Sequence, residues 1–156
     1  MIAAISTQDI AAISTAQFSA LSSTQLRVLS TAQVVAISTS QAGALTSTQV
    51  SSLTTTQIAS METADLASIK TSAIRALSTS QVAALTTAQV AGFSSTQVAA
   101  LASAQLAALT TAQLVAMETQ DFAAMSTQSI AALQTAQVVA LTTAELVALR
   151  TDQAQA

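Results

Sequence analysis

The chain follows an eight-residue pattern of apolar and polar positions over its whole length. Residues 2–153 divide into nineteen units, here called octads, which begin with residues 2–9 and 10–17 and end with residues 146–153. A typical octad is LAALTTAQ, residues 106–113, whose residues are numbered here as positions one to eight. A short, fixed period indicates an array in which each unit is completed by its neighbours.

Two large apolar residues recur in each octad. Position one is large and apolar in eighteen octads, with Ala42 as the exception, and position four is large and apolar in all nineteen. We expect positions one, three and four to face inward, and positions two, seven and parts of five and eight to face outward. The predicted core residues at position four include Ile5, Ile13, Leu21, Leu29, Ile37, Leu45, Leu53, Leu77, Leu85, Leu101, Leu109, Leu133, Leu141 and Leu149.

The spacing decides between types of secondary structure. Along a continuous α-helix eight residues turn through about 800°, so the apolar stripe would drift by about 80° per octad and no partner could cover it. The same drift excludes a coiled coil. The octads contain almost no Gly, Asn or Pro for β-solenoid corners, and they are rich in helix-forming Ala, Gln and Leu. The pattern therefore predicts one short helix per octad.

The polar positions mark where each helix begins. Position five is Ser or Thr in thirteen octads and position eight is mostly Gln, which together match a capping box followed by a hydrophobic staple. Position six is Ser or Thr in every octad, and a position-six N-cap would explain Lys70 and Arg150 at position five. We favour position five as the N-cap and position six as a hydroxyl that bonds a neighbouring unit, with the alternative open. The threonines of this predicted hydroxyl ladder are Thr7, Thr15, Thr31, Thr39, Thr55, Thr63, Thr71, Thr79, Thr87, Thr111, Thr119, Thr127, Thr135, Thr143 and Thr151.

These features predict an all-α solenoid, with residues 1–156 as a single octad-repeat domain. Each octad would supply one short capped helix and a tight turn, with three or four units per turn of the superhelix. The small residues at position three would let successive turns approach closely. The first and last octads are ordinary, so both ends should expose apolar cross-sections, which predicts either a longer array or end-to-end stacking of the chain with itself into a filament.

Composition removes several classes of function. Only 7% of the residues are charged and four are Lys or Arg, so no basic patch for nucleic acid can form. The longest apolar runs have about four residues, against the roughly 20 of a transmembrane helix. The chain has no Cys and no His, and only Lys70 could serve a Ser nucleophile as a base. We therefore expect neither an enzyme nor a cofactor.

Two acidic pairs are the candidates for a metal site. Glu62 and Asp65 stand three residues apart, and Glu118 and Asp121 repeat the pattern 56 residues later. Residues three apart share a helix face, so each pair could hold a hard cation such as Ca²⁺. Ca²⁺ usually takes six to eight oxygens, however, and two carboxylates in a first helical turn are better explained by the helix dipole. The expectation is thus no metal site.

The stretch from Leu101 to Leu149 contains AQLAALTTAQLVAM and AQVVALTTAEL. It resembles the ALTTAQVA octapeptide repeats of very large bacterial proteins, described as adhesin-like or haemolysin-like surface proteins. The resemblance covers the whole chain and brings no catalytic residues. It implies an extracellular or cell-surface location and a role as a spacer, a stalk or a fibre subunit.

The regular hydroxyls support a second hypothesis. If successive turns stack in register, the position-six threonines align in ranks, and such a surface resembles the ice-binding faces of antifreeze solenoids. A polysaccharide is the next candidate ligand. A hydroxyl that bonds inward cannot also order water outward, so exposed position-six hydroxyls would favour this alternative over the spacer.

Overall fold

The computed structural model describes residues 5–155, and this part of the chain contains helices and no strands. The helices are short, with four to six residues each. They are α1 (Thr7–Ala12), α2 (Thr15–Ser19), α3 (Ser23–Arg27), α4 (Thr31–Val35), α5 (Thr39–Gly43), α6 (Ser47–Ser52), α7 (Thr55–Ser60), α8 (Thr63–Ser68), α9 (Thr71–Ile74), α10 (Thr79–Ala83), α11 (Thr87–Ala91), α12 (Ser95–Ala100), α13 (Ser103–Ala107), α14 (Thr111–Val115), α15 (Thr119–Ala124), α16 (Thr127–Ala131), α17 (Thr135–Ala140), α18 (Thr143–Ala148) and α19 (Thr151–Ala154). Each begins at position six of an octad, which confirms the prediction of one helix per octad.

The N-cap of every helix is position five, as the capping pattern predicted. In α11 the Thr86 hydroxyl accepts from the backbone N–H of Gln89 at 3.1 Å, and the Gln89 Oε1 accepts from the backbone N–H of Thr86 at 2.8 Å. This reciprocal pair satisfies two N–H groups that a helix start leaves free. At Lys70 and Glu62, position five makes no side-chain cap bond, and the helix starts there nevertheless.

The corners between helices need no unusual backbone. N-cap residues are nearly all extended, as at Thr86 with φ −77° and ψ 159°, and no residue among those described has a positive φ. Leu85 donates its backbone N–H to the Val82 carbonyl at 3.2 Å, which closes the preceding helix tightly before the chain turns. Because the turn uses only ordinary conformations, it requires neither Gly nor Pro.

Three helices make one turn of the superhelix, here called a coil. Each helix packs on the helix three further along the chain, as α5 does on α8, α8 on α11 and α11 on α14. One coil therefore takes 24 residues, at the lower end of the predicted three or four units. The result is a stack with three sides, each made of every third helix.

Position one lies deepest in the core. Its residues from Ile10 to Phe122 are buried, and all of them except Ala42 are large, with no exposed surface at Leu66, Val90 and Leu106. Position four is also buried at Leu29, Ile37, Leu45, Leu53, Leu77, Leu85, Leu101, Leu109 and Leu141, and partly buried at Ile5, Ile13, Leu21, Leu133 and Leu149. The octads from residue 10 to residue 137 thus each contribute two apolar side chains to one continuous core.

The remaining positions correct part of the expected pattern. Position seven is exposed in every octad, as predicted. Position three is half-buried along most of the stack, because it lies against the preceding coil instead of in the core. Position eight was expected to face partly outward, and this was wrong: from Gln33 onward it is buried, with 1–5% of its surface exposed.

A small residue at position three allows close contact where α11 meets α8. A Cβ added at Gly92 would lie 2.3 Å from the Cγ2 of Thr63, well inside van der Waals contact. Gly92 therefore leaves the space that the Thr63 side chain of the preceding coil occupies.

Candidate functional site

The contacts between coils centre on the side-chain amide of position eight. The Nε2 of Gln89 donates to the carbonyl oxygens of Ile58 at 3.1 Å, Ala59 at 3.2 Å and Met61 at 2.7 Å, all one coil back. At the same time its Oε1 caps its own helix at Thr86. One amide therefore uses both ends, the oxygen within its helix and the nitrogen across the coil boundary.

This arrangement solves a problem that short helices create. A helix of five or six residues leaves most of its carbonyl groups without a partner inside the helix, and buried carbonyls without partners are costly. Where position eight of the next coil is Gln, its amide supplies donors to the carbonyls at the end of a helix and at the corner. No buried side-chain nitrogen or oxygen in the described part of the chain lacks a hydrogen-bond partner.

The bond recurs along the whole stack, and we call this set the glutamine ladder. Each member donates from Nε2 to at least one carbonyl in the preceding coil. The members are Gln33, Gln41, Gln49, Gln57, Gln81, Gln89, Gln97, Gln105, Gln113, Gln137 and Gln153. Sequence reasoning used position eight only as the partner of the N-cap and missed this second role.

Two aspartates interrupt the ladder in the same way. The carboxylate of Asp65 accepts from the hydroxyl of Thr39 at 2.9 Å, and that of Asp121 accepts from the hydroxyl of Ser95 at 2.7 Å. Both donors stand at position six of the preceding coil. Burial raises the pKa of the Asp65 carboxyl, and the negative charge of Glu62 adds to this, although the bond from Thr39 opposes it.

Besides the octads with Asp9, Asp65 and Asp121, three octads lack glutamine at position eight, which is Ala73, Ser129 or Glu145. Glu145 keeps the capping role, because its carboxylate accepts from the Thr142 backbone N–H at 2.6 Å, but it has no amide hydrogen to donate. Beside the short Ser129 lies an open groove of about 500 Å³, which Arg75, Leu101 and Ser126 also line. The groove marks the place that a longer side chain fills elsewhere in the stack.

The position-six hydroxyls lie at the first residue of each helix. Hydrogen bonds to another coil run from four of them, namely Thr39, Ser47, Ser95 and Thr127. Of the position-six threonines in the predicted hydroxyl ladder, Thr63 and Thr127 are partly buried. The others are exposed, namely Thr7, Thr15, Thr31, Thr39, Thr55, Thr71, Thr79, Thr87, Thr111, Thr119, Thr135, Thr143 and Thr151. A continuous ladder of these hydroxyls stays a prediction.

The acidic pairs considered as cation ligands lie on different sides of the stack. Seven octads separate them, so Glu62 and Asp65 belong to the α8 side and Glu118 and Asp121 to the α15 side. The Asp121 carboxylate accepts from the Glu118 backbone N–H at 3.1 Å, which is a capping bond. Among residues 5–155 no three His, Cys, Asp or Glu side chains gather as metal ligands would.

The two ends of the stack differ from its middle and from each other. At the C-terminal end, the position-one residues Val138 and Leu146 are 44% and 46% exposed, although position one is buried in the middle. At the N-terminal end, Asp9, Gln17 and Gln25 are exposed, and within the described residues neither glutamine donates from its Nε2 to another protein group. One end thus offers free amide donors and the other an apolar face.

No helix in the described part of the chain is long and apolar enough to cross a membrane. The geometry of residues 5–155 is that of an α-solenoid, in which the helices are short and pack mainly on helices of the neighbouring coils. The sequence signature of the ALTTAQ repeat matches residues 2–36, 23–55, 58–95 and 114–151, which together make up most of the chain. The chain therefore belongs to the ALTTAQ repeat family. No curated protein and no solved structure matches it.

Proposed function

We propose that this chain is a non-enzymatic structural module: a spacer or stalk of a bacterial cell-surface or extracellular protein, or a subunit of an extracellular fibre. The observation that supports this role is the glutamine ladder, whose same bond recurs from Gln33 to Gln153. Because each octad adds one helix and one position-eight side chain, the array can be lengthened without altering its cross-section. A module whose length increases with the number of repeats is suited to the role of a spacer.

The dimensions of such a spacer follow from its packing. The nineteen helices of residues 5–155, at three per coil, make just over six coils. Packed helices lie about 8–10 Å apart, so the stack is about 50–60 Å long. A rod of this kind holds two attachment points at a fixed distance, which a disordered linker of the same length would not do.

A length series tests the proposal. One complete coil, residues 82–105, would be duplicated in one variant and deleted in another, so that the octad phase is kept. Small-angle X-ray scattering should show the maximum dimension changing by about 8–10 Å per coil at constant cross-section. The control variant carries an insertion of four residues after Gln105, which breaks the octad phase and should lower the thermal stability. A cross-section that widens with added coils would contradict the rod.

The surface location is tested in the organism that carries the gene. Antibodies raised against the purified chain should label intact cells, or an extracellular fibre, without permeabilisation. Labelling only after permeabilisation would overturn the surface location while leaving the rod intact. The two parts of the proposal can therefore fail separately.

The exposed position-six threonines support a second candidate, a surface that binds ice or a polysaccharide. On one side of the stack Thr15, Thr87, Thr111 and Thr135 are all exposed. If the chain binds ice, it should produce thermal hysteresis and inhibit ice recrystallisation. The double variant Thr87→Val with Thr111→Val should change both activities. Polysaccharide pull-down with the same double variant tests the other ligand. Inactivity in both assays would dismiss this candidate.

A further inference from the structure

We infer that the two ends of the stack dock head-to-tail, so that the N-terminal coil of a second copy of this chain completes the C-terminal coil of the first. The inference rests on the proposed role as a structural module and names the partner and the contacts of its ends. Continuity with the interface between coils supports it, because the same pair of surfaces already meets throughout the stack.

The apolar part of the joint lies at the C-terminal coil. Val138 and Leu146 occupy position one, whose residues have no exposed surface at Val90 and Leu106, yet they are nearly half exposed. Together with Ile130, Leu133 and Leu149 they line an open groove of about 460 Å³. In the middle of the chain the same groove is filled by the next coil.

The polar part follows from the ladder geometry. The amide of Gln41 donates to the carbonyls of Ile10 and Ile13, at positions one and four of the octad three units earlier. In an incoming copy, Gln17 would meet the carbonyls of Val138 and Leu141 by the same offset. Gln25 would meet those of Leu146 and Leu149.

The third contact of the joint involves Asp9, which occupies position eight of the first octad. Asp65 and Asp121 each accept a hydroxyl from position six of the preceding coil, at Thr39 and Ser95. Asp9 of the incoming copy would face Thr135 by the same rule. The Oδ2 of Asp9 caps Ser6 at 3.0 Å, as the Oδ2 of Asp121 caps Glu118, so Oδ1 is the atom that accepts from Thr135.

The helices of the joint keep the order of the stack. In the incoming copy α1, α2 and α3 lie on α17, α18 and α19 of the first copy, as each helix of the stack lies on the helix three before it.

Two blocking variants test this with the complete chain. Leu146→Lys places a charge on the C-terminal end, and Gln17→Glu with Gln25→Glu removes the donors at the N-terminal end while keeping the capping oxygens, as Glu145 does. The control is Val35→Lys, because Val35 is 45% exposed on a side of the stack, close to the 46% of Leu146. Far-ultraviolet circular dichroism checks that each variant keeps its helices.

Sedimentation equilibrium over a concentration series gives the answer. The unmodified chain and Val35→Lys should grow in mass beyond a dimer, because a head-to-tail contact leaves both ends of the product open. Each blocking variant alone should associate at least about tenfold more weakly, a change of about 1.4 kcal/mol. Mixed together, the two blocking variants should form a one-to-one dimer, since each retains the end that the other lacks.

Three results would overturn the inference. One is an unmodified chain that stays monomeric up to millimolar concentration. Another is Leu146→Lys and Val35→Lys behaving alike. The third is the double glutamate variant dimerising by itself, which would mean that the apolar ends pair tail-to-tail. None of these results affects the rod, whose length and cross-section are measured by scattering on the dilute monomer.

Discussion

The middle coils and the end coils are built from the same octad but differ in how much of it is covered. Val90 in the middle has no exposed surface, whereas Val138, at the same position of the last complete coil, is 44% exposed. Gln89 donates to three carbonyls in the preceding coil, whereas Gln25 in the first coil only caps its own helix. The octad therefore specifies a helix and a corner, and the neighbouring coil supplies its burial.

The comparison extends to charge. Asp9 and Asp65 occupy the same position 56 residues apart. The hydroxyl and the backbone N–H of Ser6 lower the pKa of the exposed Asp9 carboxyl, whereas burial raises the pKa of the Asp65 carboxyl. The pKa of an aspartate at position eight is thus shifted in opposite directions, because Asp9 accepts two bonds from Ser6, whereas Asp65 is buried by the preceding coil and lies beside Glu62.

The largest expected difference concerns the core. Leu106→Ala leaves a cavity in a fully buried site and should lower the free energy of unfolding by about 2–5 kcal/mol. Leu146→Ala removes a side chain that is nearly half exposed and should cost about 1 kcal/mol. Urea denaturation followed by circular dichroism measures both. Equal losses would mean that the end coil is covered in solution, which the sedimentation experiment would then show independently.

The next difference concerns the ladder. Gln89→Ala leaves three carbonyls in the preceding coil without their donor and removes the cap partner of Thr86, so it should cost about 1–3 kcal/mol. Gln25→Ala loses only the cap bond to Ser22 and should cost about 0.5–1 kcal/mol. Gln89→Glu separates the two roles, because it keeps the cap and loses the donor. If Gln89→Glu were as stable as the unmodified chain, the cross-coil bond would contribute nothing.

Helix, cap and corner could be predicted from the sequence because they depend on residues within one octad. The exclusion of a continuous helix needed only the period, and the N-cap followed from the spacing of Thr86 and Gln89. The number of helices in one coil, three, could not be derived from the sequence in this way. All three sides of the stack use the same octad, so no residue pattern with a period of 24 reveals the number of helices per turn.

The burial of position eight had a sequence signal that was overlooked. A capping box accepts Glu as well as Gln, because only the side-chain oxygen is used. The chain nevertheless has thirteen glutamines and a single glutamate, Glu145, at position eight. A preference for the amide over the acid indicates that the N–H groups are needed too, and only a carbonyl in a neighbouring coil could receive them.

The smallest expected difference is the effect of an Asp→Asn substitution on Tm. It is the most diagnostic, because its sign is expected to differ between the middle coils and the N-terminal coil. The folded-state pKa of Asp65 lies above its ordinary value of 3.8, so the folded chain binds more protons than the unfolded chain near that pH. Its ionised form therefore costs stability at about pH 7, and this cost disappears as the pH falls through the raised pKa towards 3.8. Asp65→Asn, which keeps an oxygen for Thr39, should raise Tm by no more than a few degrees at neutral pH.

Asp9→Asn should act in the opposite sense. The folded-state pKa of Asp9 lies below 3.8, so its ionised form stabilises the fold above that pH, and the contribution is lost as the pH falls through the lowered pKa. Thermal unfolding of both variants and the unmodified chain at about pH 7 and at about pH 3 should show shifts of opposite sign at the higher pH and smaller shifts at the lower one. The charge of Glu62 contributes to the raised pKa of Asp65, so Glu62→Gln serves as the background for a repeat of the Asp65 measurement. If both asparagine variants shifted Tm in the same direction, the covering coil would not control these carboxyls. A loss of the Asp9 effect at high protein concentration would instead indicate that the N-terminal coil had found its partner.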